Sequence, residues 1–82
     1  MSEEREMLFE KMASLIAGQT GMESRLITME SDFKEDLQID SLDIFEIIME
    51  LEEAYSLEIP TEDLETMKKV ADLVEYIDNR IR

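Results

Sequence analysis

Asp40-Ser41-Leu42-Asp43-Ile44-Phe45-Glu46-Ile47-Ile48-Met49-Glu50-Leu51-Glu52-Glu53-Ala54-Tyr55 is the stretch whose reading decides the fold. It is an apolar run that carries acids and no base. Asp40 suits an N-cap, because its carboxylate can accept from the free N–H groups of the first turn. Asp43 stands where a capping box has its second member, although that motif prefers Glu or Gln there. At about 100° per residue, Ile44, Ile47, Ile48, Leu51 and Tyr55 fall on one side of a helix and form a core stripe. Leu42, Phe45 and Met49 form a second stripe about 140° away. Glu46 and Glu53 flank that stripe on one side and Glu52 on the other. One helix of a small bundle cannot readily bury both stripes. The second is therefore expected to be an exposed apolar strip rimmed by carboxylates, the pattern of an interaction surface.

Working outward, Glu3 to Ala17 has Leu8, Met12, Leu15 and Ile16 at helical spacing, with Gly18 and Gly21 marking its end. A long connection over 18–40 follows, holding Leu26, Ile27, Met29, Phe33, Leu37 and Ile39. The spacing of Phe33 and Leu37 allows one helical turn. Downstream, Ile59 must be extended because Pro60 follows it, and Thr61 to Leu64 can form one turn capped by Thr61. Val70, Leu73, Val74, Ile77 and Ile81 give a clean apolar stripe for a last helix. The expected fold is all-α. Three main helices and one short helix form a small bundle, with a long loop between the first and second helices. The 82 residues make a single domain, 1–82.

The net charge is −14, from 22 acids against 8 bases. Such a surface repels nucleic acid and anionic membranes and favours basic protein surfaces. Between Glu35 and Glu65 there are twelve acids and no Lys or Arg. Like charges four apart, such as Glu46 and Glu50, destabilise a helix; tolerating them points to a partner of opposite charge. Self-repulsion also implies that salt or divalent cations help the fold. There is no cysteine, hence no disulfide or thiolate site. No basic region followed by an apolar run opens the chain, and no stretch approaches membrane-spanning length, so a cytoplasmic protein without membrane insertion is expected.

Ser41 sits where a loop becomes a helix, so its hydroxyl should be exposed. A serine hydrolase needs a base within hydrogen-bond reach, and the chain has no histidine and no Gly-x-Ser-x-Gly elbow. Paired carboxylates for glycoside chemistry need a cleft that a chain this short cannot form. Asp32, Asp36, Asp40 and Asp43 are spaced wrongly for a calcium loop and lack its glycine. Weak divalent binding is expected there, but no metal site. Ser41 as a plain helix-start residue remains open on position alone, beside Ser41 as a place where a group is attached. A helix N-terminus favours an attached phosphate, although Asp40 and Asp43 oppose it.

Asp40-Ser41-Leu42-Asp43, the helix that follows, Leu57-Glu58-Ile59-Pro60 and Val70 to Ile77 resemble the acyl carrier proteins of dissociated (type II) fatty-acid synthesis. Ser31-Asp32-Phe33-Lys34-Glu35-Asp36-Leu37 matches the segment that leads into the motif. The resemblance spans residues 31–77. It implies a carrier rather than an enzyme, with 4′-phosphopantetheine transferred from coenzyme A onto Ser41, between Asp40 and Leu42. The arm's thiol would hold growing acyl chains as thioesters. Leu42, Asp43, Phe45, Glu46, Met49, Glu52 and Glu53 would meet basic patches on a phosphopantetheinyl transferase, a ketosynthase, acyltransferases and other synthesis enzymes. The chain would act as a monomer. Phe33, Ile47, Leu51, Ile59, Leu64, Met67 and Leu73 match the interior positions that shelter the acyl chain. A specialised carrier for a polyketide or lipid-tailoring pathway is the alternative within the class. An unmodified acidic interaction module or calcium sensor is the alternative outside it.

The departures carry their own expectations. Gln38-Ile39 replaces the family's common Gly-Ala, which should stiffen the loop. Phe45 is bulkier than the usual small aliphatic residue, which should alter docking preference. Lys68-Lys69 stands where small hydroxyl residues often open the last helix, leaving Thr66 as the nearest cap. Leu64 and Leu73 exceed the family's frequent alanines, predicting a tighter pocket that shelters long chains less well.

Overall fold

A computed structural model describes residues 3–81. Its elements are α1 (Glu3–Thr20), a 3-10 turn (Ser24–Leu26), α2 (Ser41–Tyr55), α3 (Thr61–Leu64) and α4 (Val70–Ile81). Extended backbone pairs only at the isolated bridge between Asp32 and Lys69, so the described residues are helical, as the periodicity predicts. α1 packs against both α2 and α4. Leu8, Met12 and Ile16 from α1, Ile47, Ile48 and Leu51 from α2, and Val70, Leu73, Val74 and Ile77 from α4 are all buried. Each such side chain contributes roughly 1.5–3 kcal/mol by leaving water. Leu15 and Tyr55 are half-buried at the edge of this core, and Ile81 is exposed beyond the end of its stripe. No helix among the described residues is long and apolar enough to cross a membrane.

The helix ends show where local rules hold and where they fail. α2 starts as its sequence predicts: Asp40 accepts from the Asp43 N–H at 3.0 Å. Only that half of the capping box forms. α1 runs through Gly18 to Thr20, three residues past the expected end. Gly18 lies in open space and takes no special conformation, so nothing stops the helix there. Gly21 does, with φ +79° and its N–H on Ala17 O at 2.9 Å. A residue without a Cβ adopts that left-handed stop freely. α3 begins after Pro60, and the Thr61 side chain makes no capping bond, contrary to expectation. Nor does Thr66 cap α4; its hydroxyl donates back to Asp63 O at 2.7 Å. The cap of α4 comes from inside the helix instead. One Asp72 oxygen accepts from Lys68 N at 3.0 Å and Lys69 N at 3.1 Å.

Those two backbone bonds, that to Lys68 first, hold the Asp72 carboxyl below its ordinary value of 3.8. A carboxyl lowered in the folded state stabilises above that ordinary value, and the contribution is lost as pH falls through the lowered one. Asp72→Ala is therefore expected to cost about 1 kcal/mol near neutrality. The gap to wild type should narrow below pH 3.8, read from urea melts at pH 7 and pH 3.

The connection between α1 and α2 is irregular but fixed. Phe33 N donates to Lys68 O, Val70 N to Ser31 O and Ala71 N to Met29 O, all at 2.9–3.0 Å. The segment before α2 is thus stitched to the start of α4. A turn follows in which Asp32 O accepts from both Asp36 N and Leu37 N, the helical turn that the Phe33/Leu37 spacing allows. Ile27, Phe33, Leu37 and Ile39 anchor this connection in the core. Gln38 adopts φ +51°, a left-handed conformation in which a side chain costs on the order of 1 kcal/mol. Gln38→Gly should raise the melting temperature by a few degrees, as relief of that strain outweighs the added chain freedom.

Candidate functional site

Ser41 is the first residue of α2 and is exposed. The cap is supplied by Asp40, so the Ser41 hydroxyl is left outside the capping arrangement. No histidine exists in the chain to deprotonate it. Among the described residues no three His, Cys, Asp or Glu side chains are grouped to hold a metal.

Beside Ser41 lies a groove of about 430 Å³, bounded by the turn after Asp32, the start of α2, α3 and the segment to Lys68. Phe33, Ile44, Phe45, Leu64 and Met67 supply its apolar wall. Phe33, Ile44, Leu64 and Met67 also line a smaller space of about 30 Å³, which reaches inward to Ile47, Ile48 and Leu73. That inner space holds a water or two, since one water needs about 10–15 Å³ of it. Nothing longer enters it unless the helices part.

Of the seven pocket positions expected, Phe33, Ile47, Leu64, Met67 and Leu73 line these spaces. Leu51 and Ile59 lie in the core without lining either one. Ile44 and Ile48 line the inner space and were not expected to do so. Their signal was in the sequence, since Ile44 stands three residues after Ser41 and Ile48 one turn further on the same face.

The second stripe of α2 is exposed: Leu42 is 74% exposed, Phe45 42% and Met49 63%. Glu46 and Glu53 are exposed beside it, and Asp43 is half-buried. Partial burial first, and then the charges of Asp40 and Glu46, hold the Asp43 carboxyl above its ordinary value. Glu52 differs from the other acids. Its carboxylate accepts from Ile59 N at 2.9 Å, a bond that ties α2 to the extended residues before α3. α3 is held from its other side by α4. Tyr76 Oη donates to Asp63 at 2.7 Å, and Arg80 donates to Tyr76 Oη at 2.7 Å while its guanidinium lies 4.8 Å from the ring centre.

A family profile described as "Phosphopantetheine attachment site" matches residues 10–77. A protein named acyl carrier protein from Clostridium acetobutylicum is 49% identical over 71 residues, covering 87% of this chain and 92% of its own length. The chain belongs to the acyl carrier protein family. Acyl carrier proteins from Clostridium perfringens and Rubrobacter xylanophilus agree, at 51% identity over 70 residues and 42% over 74. They are covered over 92% and 91% of their lengths, and they span 85% and 90% of this chain. The cofactor of this acyl carrier protein is therefore covalently attached 4′-phosphopantetheine. The residues present fit that group: an exposed hydroxyl outside any cap, at the rim of a groove with an apolar wall.

Proposed function

We propose that Ser41 is the residue that bears 4′-phosphopantetheine, and that the chain carries acyl groups between the enzymes of fatty-acid synthesis. The observation that carries this reading is the placement of the Ser41 hydroxyl. It is exposed, outside the cap of α2, beside the groove and without a base of its own. Such a hydroxyl can be reached by a transferase that brings its own catalytic groups. When bound, the group supplies a thiol at the end of a long flexible arm, on which an acyl chain is held as a thioester. Asp40 fixes the start of the helix and so the direction in which Ser41 points. Leu42, Phe45 and Met49 give a partner an apolar strip, while Glu46 and Glu53 draw its basic groups and orient the encounter. Phe33, Leu64 and Met67 face the cargo's apolar end in the groove, and Leu73 meets it only where the helices part. The role is carriage, and the chain catalyses nothing.

Incubation with coenzyme A and a broad phosphopantetheinyl transferase tests the attachment. Mass spectrometry should show one phosphopantetheinyl group, located on the peptide that contains Ser41. A gain on another peptide, or none, overturns the reading.

Glu46→Lys with Glu53→Lys should weaken binding to the transferase and to a ketosynthase by at least tenfold at low salt. The difference should shrink as salt screens the wild-type attraction. Surface plasmon resonance over a salt series checks this, and helicity should be unchanged. Glu52 is unsuitable for the same purpose, since reversing it also takes the partner away from Ile59 N–H.

A further inference from the structure

Lys34 and Lys68 bracket a run of the chain that contains no Lys or Arg. The fold brings the two ends of that run together, because both lysines line the groove beside Ser41. Among the described residues, ion pairs engage Arg5, Arg25, Lys69 and Arg80, but neither Lys34 nor Lys68. In a chain of net charge −14, two lysines outside those ion pairs thus converge on one groove, where the charge of Lys68 also acts on Asp32. Lys11, also outside those ion pairs, lies on α1 away from it.

We propose that Lys34 and Lys68 form an anion subsite in this groove and hold the phosphodiester of the group carried on Ser41. The proposal rests on the attachment argued above. A phosphodiester at Ser41 would otherwise lie between Asp40 and Asp43, with no positive side chain from residue 35 to residue 67. Lysine ammonium groups on flexible stems can follow an anion that is itself mobile. Asp32, Glu35 and Glu65 line the same groove and oppose an anion. One Asp32 oxygen is occupied by the N–H groups of Lys34 and Glu35, at 2.8 and 2.9 Å. A free anion would therefore bind weakly. An anion tethered to Ser41 acts at an effective concentration in the millimolar range or above, and the tether compensates for that weakness.

The shared chemistry is an anionic oxygen group, and a carboxylate at the far end of a cargo would offer it too. The lysine side-chain resonances, read by NMR at Cε and at neutral pH, separate the sources. They are recorded on the unmodified chain, on the chain bearing 4′-phosphopantetheine, and on acetyl- and malonyl-loaded forms. Modification alone should shift the side-chain resonances of both Lys34 and Lys68 and leave those of Lys11 unmoved. The phosphorus-31 resonance should shift in the double variant Lys34→Gln, Lys68→Gln, whose circular dichroism should match wild type.

Lysine resonances that shift only with malonyl would overturn the phosphodiester assignment in favour of a cargo carboxylate. Unmoved lysines in every modified form would overturn the subsite while the attachment at Ser41 stands. A chain that mass spectrometry shows to be unmodified overturns both.

Discussion

Ser41→Ala takes up no phosphopantetheinyl group under conditions that fully convert the wild-type chain, and it melts at nearly the same temperature. The expected effect on modification is total, because the substitution removes the one oxygen that would form the new phosphodiester. The expected effect on stability is within about 0.5 kcal/mol, as for an exposed position away from any cap, since Asp40 supplies the cap of α2. Ser2 lies outside the described residues, and the other serines sharpen the test. Ser31 is buried and bonded to Thr28 N, so it is unavailable. Ser14, Ser24 and Ser56 are exposed, so accessibility alone would make them substrates. None of them opens a helix that carries an apolar strip with an acidic rim. Intact-mass analysis of both chains after equal exposure to transferase and coenzyme A decides the matter. An adduct that persists on the variant places the attachment elsewhere.

Leu51→Ala is expected to destabilise the chain by about 2–5 kcal/mol. In a domain this small each 1 kcal/mol moves the melting temperature by roughly 4–8 °C, so the fall should be at least about 8 °C. Leu51 is fully buried on the core stripe of α2, where truncation leaves a void that helices packed on both sides can only partly close. Total stabilities of small domains are about 5–15 kcal/mol, so the loss is a large share of the whole. Leu42→Ala removes the same atoms from the same helix with the opposite outcome. At 74% exposed, Leu42 gives the fold little, and its truncation should leave the melt almost unchanged while weakening enzyme binding. Thermal denaturation followed by circular dichroism measures both variants. Equal melting shifts would contradict the assignment of the two faces.

The two stripes of α2 were legible because helical periodicity is a local property. Leu42, Phe45 and Met49 differ from Ile44, Ile47 and Leu51 only in angle around the axis, and angle follows from residue number alone. The apolar stripe of α4 and the Asp40 cap were legible for the same reason. What stayed hidden was decided either by backbone conformation or by distant partners. Gly18 and Gly21 look alike in sequence, yet only Gly21 takes the left-handed conformation that stops α1. The cap of α4 was sought before the helix, at Thr66, but Asp72 supplies it from within. Glu52 read as one more acid of the docking rim because its bond to Ile59 N spans a bend that periodicity does not describe. The convergence of Lys34 and Lys68 depends on the stitching of the long connection to α4, which no local pattern announces.

That stitching also bears on how the chain opens. The backbone amides of Phe33, Val70 and Ala71 are locked by partners that lie 35 to 42 residues away in sequence. Irregular connections are normally the first parts of a protein to exchange their amide hydrogens. Here the connection cannot detach without releasing the start of α4, whose Val70 is fully buried. The amide of Phe33, with those of Val70 and Ala71 opposite it, should therefore exchange by the same cooperative event that unfolds the helices, while the locally bonded amides of Ser31 and Asp32 open sooner.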